Sequence, residues 1–297
     1  NLNVVADYAG ISGKEALWHP EKLEKAADEL CSMIYSDVCL FAFQILLPAK
    51  YQTMGANNMK VSNTGFMQHP NHVGFYPEDY DASIENPYDC IVERVLPRNF
   101  QELATPGRNL FAIANAMKAS NVVAGQNLAV IGRLNEKYGY YTTEPGTGGG
   151  VYAPLDILTD TLRSLSGMSM DIRRMPDKVK AAVEAVYPLN YRVGLPQKID
   201  NYGRAFFPLH LATFMKEKDF VPLFWEPWLR QVTDYASLGY HSGAFCEHDW
   251  MRYLDYLAQL PVDTTLQFEQ GDPKVIKEKL GRRFILTGLF PLSTLRV

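Results

Sequence analysis

The densest group of chemically active side chains in this chain is Cys246-Glu247-His248-Asp249, at the end of a predicted strand. Side chains two residues apart in a strand point to the same side, so Cys246 and His248 are expected to face together and to be able to bind a metal ion. Glu247 faces the other way and, with Asp249, is expected to line a cleft as a catalytic carboxylate. The structural alternative is a packed thiol and a His248 that is hydrogen-bonded to Asp249.

Other polar groups follow predicted strands or lie in long loops. Gln44 is near the end of the first long apolar run, and Asp272 follows a later strand; both are expected to bind substrate. His69 and His72 lie in a polar connection over residues 57–89, and a connection of this length usually carries function or covers something. A substrate-binding lid and a solvated loop both remain open for them.

Two residues in apolar surroundings are interpreted differently. Trp225, with aromatic neighbours at 224 and 228, is expected to stack on a flat ring, with core packing as the alternative. His210 is interpreted as a structural histidine whose hydrogen bonds are satisfied. The glycine-rich stretch at 146–150 is interpreted as a flexible turn, because the lysine and hydroxyl residue of a phosphate-binding loop do not follow it.

Helices and strands must position these residues, and the hydrophobic pattern predicts where they lie. Helical spacing begins at Pro20 and again covers about 107–138, and an unbroken apolar run at 38–47 is typical of a buried parallel strand. From residue 243 the pattern alternates strand, helix, strand, helix and strand, at about 243–247, 249–260, 264–268, 273–280 and 284–288. This rhythm predicts an α/β fold with a parallel sheet or barrel.

Composition narrows the class of protein. The 297 residues are 47% hydrophobic and 21% charged, enough to build a large core, which excludes a disordered chain. The net charge of −4 gives no electrostatic reason to bind nucleic acid, and no apolar run is long enough for a membrane span. Four dispersed cysteines and the absence of a signal-like start favour a cytoplasmic protein with reduced thiols.

Several segments resemble the uroporphyrinogen decarboxylase superfamily, and in particular its corrinoid-dependent methyltransferase branch. The similar segments are residues 154–163 with Gly167, Asp171 and Pro176, and residues 247–254, 260–261, 272–281 and 287–292. The last ends a strand in a turn where the family commonly has asparagine and this chain has Leu289. The resemblance implies a (β/α)8 TIM-type barrel in a single domain, 1–297, with a helical extension over about residues 1–36. The family's last strand and helix would lie beyond Val297.

The resemblance also implies a function. In the decarboxylase an aspartate faces the pyrrole nitrogens; here the matching position is Gln44, and a neutral amide cannot balance a cationic ring. We therefore expect a methyltransferase of anaerobic metabolism that moves a methyl group between a small-molecule donor or acceptor and cobalamin carried by a corrinoid protein. Decarboxylation of a tetrapyrrole, or binding of a tetrapyrrole or other small ligand without catalysis, is the alternative.

The methyltransferase branch holds a zinc ion that activates a thiol. The corresponding pair here is Cys246 and His248, in inverted order. Glu269, Asp272 or a residue beyond Val297 would complete the zinc site.

Overall fold

Five parallel strands from the second half of the chain form one sheet, and their order in the sheet is their order in the sequence. The structure, a computed structural model, describes residues 2–39, 48–62, 65, 67–70, 72–142, 144 and 146–290. The side chains of residues 2 and 3 are outside this description. Gln44 and most of the predicted strand at 38–47 also lie outside the described residues.

The strands, in chain order, are β1 Lys60–Val61, β2 Met67–Gln68, β3 Gly149–Gly150, β4 Ala205–Leu209, β5 Ser242–Asp249, β6 Thr265–Gln270 and β7 Ile285–Gly288. The α-helices, in chain order, are α1 Leu2–Ala9, α2 Gly13–Trp18, α3 Glu24–Met33, α4 Pro48–Thr53, α5 Tyr80–Glu85, α6 Pro87–Cys90, α7 Leu96–Asn99, α8 Asn109–Tyr138, α9 Pro154–Asp156, α10 Leu165–Arg174, α11 Pro176–Gly194, α12 Glu217–Phe220, α13 Glu226–Ser237, α14 Leu254–Leu257 and α15 Pro273–Leu280. Three π-helical segments cover Ile91–Val95, Ile157–Arg163 and Val221–Trp225.

The chain packs as two compact units, residues 1–74 with 92–142 and residues 75–91 with 143–297. The single domain expected from the sequence stays a prediction. In the first unit, helices do cover much of residues 2–33, and their apolar faces pack with the carboxyl-terminal part of α8 through residues such as Leu23 and Val130. Strands β1 and β2 form a separate antiparallel pair.

The second unit contains the parallel sheet β3-β4-β5-β6-β7. The predicted pattern of strands and helices after residue 242 is confirmed, and α15 occupies the predicted residues. Asp272 explains where α15 begins, because its carboxylate accepts the backbone N–H groups of Lys274 and Val275 and so satisfies two donors of the first turn. The structure thus gives Asp272 the role of a helix cap.

Strand β4 was not predicted, and Pro208 is the reason. Proline within an apolar run argues against a central strand because it cannot donate a ladder hydrogen bond. Here the N–H of Ala205 donates to the His241 carbonyl oxygen, on the side of β5. Because the backbone groups of successive residues point to opposite neighbouring strands, the backbone nitrogen of Pro208 points toward β3. Because β3 ends at Gly150, opposite Phe206, Pro208 removes no hydrogen bond.

Aromatic side chains fill much of the core beside the sheet. Trp228 and Trp250 are fully buried, and their ring centroids lie 6.4 Å apart. Trp225 belongs to the same cluster: it is 2% exposed and packs edge-on against Trp228 at 5.6 Å. The structure therefore places Trp225 in the core, which supports the packing alternative over stacking on a ligand.

Among the described residues, none of the helices combines the length and apolar character that crossing a membrane requires.

Candidate functional site

A cluster of carboxylates around His210 lies at the carboxyl ends of the parallel strands. His210 follows directly after β4, Glu247 lies near the carboxyl end of β5, and Glu269 is the fifth residue of β6. Asp156 and Asp160 come from the helical segment after β3. The carboxyl ends of parallel strands are where binding sites form in α/β folds, so we refer to Asp156, Asp160, His210, Glu247 and Glu269 as the strand-end cluster.

His210 lies between two carboxylates. Its Nδ1 is 2.5 Å from an Asp160 oxygen, and its Nε2 is 3.4 Å from Glu247 Oε1. The side chains are 31%, 20% and 29% exposed for His210, Asp160 and Glu247, so solvent can reach them. Such an arrangement orients the imidazole from one side and leaves its other nitrogen for chemistry.

The charge state of His210 follows from these neighbours. The hydrogen bond to Asp160, reinforced by the charges of Asp160, Glu247 and Asp156, raises the pKa of His210 to about 9 against the opposing effect of burial. His210 is therefore an imidazolium near neutral pH. Burial raises the pKa of Glu247 as well, so this carboxyl group holds a proton more readily than an exposed glutamate.

Asp156 fixes the backbone that carries His210. Its side chain is fully buried, and its two oxygens accept the backbone N–H groups of His210 and Leu211, each at 3.1 Å. Burial raises its pKa. Asp156 and Asp160 are four residues apart on one helical segment, so both point toward the end of β4.

The segment that carries Asp160 is anchored at its end. The π-helical turns finish at Arg163, whose guanidinium binds the buried Asp171 carboxylate at 2.7 Å, and the Tyr80 hydroxyl donates to the same carboxylate at 3.0 Å. A side chain at Gly167 would lie 2.6 Å from this guanidinium. Since π-helical turns occur often at functional sites, this segment is a suitable support for Asp160.

A β-bulge positions Glu247. Cys246 pairs with Phe268 and Asp249 with Gln270, so Glu247 and His248 together stand opposite the single residue Glu269. His248 has φ 61°, an uncommon left-handed conformation in which histidine is among the more frequent residues. Its backbone N–H donates to Glu269 at 2.7 Å.

The bulge separates the two residues that were predicted to bind zinc. The regular alternation behind that prediction fails at the bulge: Cys246 is fully buried, whereas His248 is exposed and its ring contacts the Phe214 ring edge-on at 5.0 Å. Burial also raises the pKa of the Cys246 thiol, which disfavours the thiolate that zinc requires. As placed, the pair does not fit a zinc site.

Within the part of the chain that the structure describes, no group of three or more His, Cys, Asp or Glu side chains is arranged to hold a metal ion. The zinc assignment stays a prediction.

The remaining predicted residues have other positions. Asp249 is exposed and its carboxylate accepts the N–H of Met251, so it caps the turn after β5. His69 is exposed in the first unit, and the His72 Nε2 is 3.1 Å from the Arg98 carbonyl oxygen in the same unit. Of the sequence candidates that the structure describes, Glu247 is the one placed beside His210.

Sequence reasoning missed Asp156, Asp160 and His210. The two aspartates interrupt an otherwise apolar segment at a spacing of four, which was a usable signal. His210 would have been identified as a strand-end residue if β4 had been predicted. The chain matches no protein-family model, and no curated protein matches it.

Proposed function

We propose that the chain is a methyltransferase of the uroporphyrinogen decarboxylase type, that its parallel strands are part of a (β/α)8 barrel, and that the strand-end cluster is its active site. The barrel is supported by strands that neighbour one another in chain order, with helices between them. In doubly wound sheets the strand order reverses at a switch point, whereas in a barrel it is sequential.

The observation that carries the proposal is the pairing of His210 with Asp160 and Glu247. When a methyl group leaves a neutral oxygen, nitrogen or sulfur for a corrinoid, the heteroatom keeps the bonding electron pair and must take up a proton. When the methyl group passes from the corrinoid to a thiol, the thiol must lose one. The imidazolium can give a proton in the first direction, and the neighbouring carboxylate, when ionised, can take one in the second.

In this proposal His210 and Glu247 exchange the proton with the heteroatom, and Asp160 holds the imidazole in its orientation. Asp156 keeps the His210 backbone in place through its two hydrogen bonds. The corrinoid, bound to a partner protein, is a substrate of this reaction and the methyl donor or acceptor is a small molecule.

The charge of the cluster favours methyl transfer over the decarboxylation alternative. The strand-end cluster holds four carboxyl groups, those of Asp156, Asp160, Glu247 and Glu269, and the single imidazole of His210. A polycarboxylate such as uroporphyrinogen would be repelled by these carboxylates. The neutral Gln44 at the position of the decarboxylase aspartate gives the same preference.

The test is an anaerobic absorbance assay with free, chemically reduced cobalamin and three donors: a methyl ether, a tertiary methylamine and a methyl thioether. The wild type is expected to form methylcobalamin from at least one donor, and Glu247→Gln is expected to lower the rate about 100-fold or more. Gln267→Ala, a change on the exposed face of β6, serves as the matched control with wild-type activity. Methylcobalamin formation that is equally fast in Glu247→Gln, or carbon dioxide release from uroporphyrinogen, would contradict the proposal.

A further inference from the structure

Glu269 is the single residue of β6 that stands opposite the two-residue bulge of β5. Its carboxylate accepts the N–H of His248 at 2.7 Å, and this is the residue with φ 61°. The left-handed region is energetically unfavourable for a residue other than glycine, so the conformation of His248 needs support from neighbouring groups. The hydrogen bond from a backbone N–H to a charged carboxylate is of sufficient strength.

The bulge of β5 includes Glu247. It turns the strand between Cys246 and Asp249, and the Trp250 indole N–H holds it on the other side by donating to the Glu247 carbonyl oxygen at 2.9 Å. Bulges commonly redirect a side chain next to an active site. Here the side chain that departs from the alternation is that of His248, which is exposed, and the Oε1 of its neighbour in the bulge, Glu247, lies 3.4 Å from His210 Nε2.

We propose that Glu269 is a positioning residue: by accepting the His248 N–H it maintains the β5 bulge and so holds Glu247 against His210. Its action is mechanical and passes through the backbone of residues 247 and 248. It does not depend on which reaction the cluster performs. The charges that raise the pKa of His210 are those of Asp160, Glu247 and Asp156, so Glu269 is expected to influence His210 through the position of Glu247.

Two substitutions separate position from charge. Glu269→Gln removes the charge but keeps a side-chain oxygen of the same reach that can accept the His248 N–H. Glu269→Asp keeps the charge but shortens the side chain by one methylene, which withdraws the acceptor. Gln267→Ala is the control, since residue 267 lies on the same face of the same strand.

The readouts are hydrogen exchange of the His248 amide and NMR titration of the His210 ring, neither of which requires a substrate. In Glu269→Asp the His248 amide should exchange about tenfold faster, equivalent to losing one hydrogen bond, and the pKa of His210 should fall. Glu269→Gln and Gln267→Ala should leave both readouts near the wild type. The proposal is overturned if Glu269→Asp changes neither readout, or if Glu269→Gln lowers the pKa of His210 as much as Glu269→Asp does.

Discussion

Replacing Asp160 by asparagine tests how the charge of His210 is controlled. The amide oxygen of asparagine can still accept a hydrogen bond from Nδ1, so the geometry is nearly preserved while the negative charge is removed. In the wild type the pKa of His210 is raised from its ordinary 6.5 to about 9, with the hydrogen bond to Asp160 as the first cause.

The expected magnitude follows from the contact. A hydrogen bond to a charged group contributes roughly 1.5–3 kcal/mol, and one pKa unit corresponds to about 1.4 kcal/mol. The two side chains are 31% and 20% exposed, so solvent screens part of the interaction. The pKa of His210 should therefore fall by about one to two units in Asp160→Asn.

The assay is an NMR titration of the six histidines, with the His210 signal assigned from its absence in His210→Asn. The matched control is Glu21→Gln, which removes the carboxylate from another histidine pair, His19 and Glu21, at 3.2 Å on the surface. This control should leave the pKa of His210 unchanged. A wild-type pKa near 6.5, or a value near 9 that persists in Asp160→Asn, would refute the reasoning.

Three further outcomes are expected. Because the folded-state pKa of His210 lies above its ordinary value, the ion pair stabilises the fold fully below about pH 6.5, and this contribution is lost as the pH rises through about 9. Urea denaturation should show the wild type to be about 1–3 kcal/mol more stable than Asp160→Asn at about pH 6. This difference in stability should narrow above pH 9, and a difference that widens would contradict the argument. The fully buried Cys246 should react with a thiol reagent only after unfolding. Cys246→Ala should not change the zinc content measured by elemental analysis. A loss of about one zinc per chain in this variant would support the zinc prediction. Gly288 has φ 87° and a Cβ there would lie 2.1 Å from the Phe268 carbonyl oxygen, so Gly288→Ala should lower the free energy of unfolding by about 2 kcal/mol or more, and an unchanged denaturation midpoint would contradict this contact.

The parts of the fold that were predictable are those in which local pattern and local structure agree. Helix α15 has a capping aspartate and a following proline at its start, and β5, β6 and β7 are short apolar runs separated by turn residues. Strand β4 was missed because it contains Pro208, which the sheet tolerates because β3 ends before it would pair with residue 208. The length of the neighbouring strand cannot be read from the sequence of β4. Without β4, nothing in the sequence placed His210 at a strand end, which is why the sequence favoured a structural histidine there.

The site itself required information on register. The choice of Cys246 and His248 rested on regular alternation, which predicts that residues two apart face together. One extra residue in β5 opposite Glu269 breaks that alternation, and a bulge depends on contacts between strands that are distant in sequence. Leu289 also adopts a left-handed conformation, with φ 63°, which a leucine in the sequence does not predict.

The pH dependence of methyl transfer in the wild type and in Asp160→Asn tests most directly the claim that the strand-end cluster supplies the proton. If His210 is the acid, the rate of methylcobalamin formation should fall with increasing pH around the pKa of His210, about 9 in the wild type, because the imidazolium is then lost. In Asp160→Asn the decline should begin about one to two units lower, matching the NMR titration of the same variant. An identical pH profile in the two proteins would contradict the account, since methyl transfer would then not use the proton of His210.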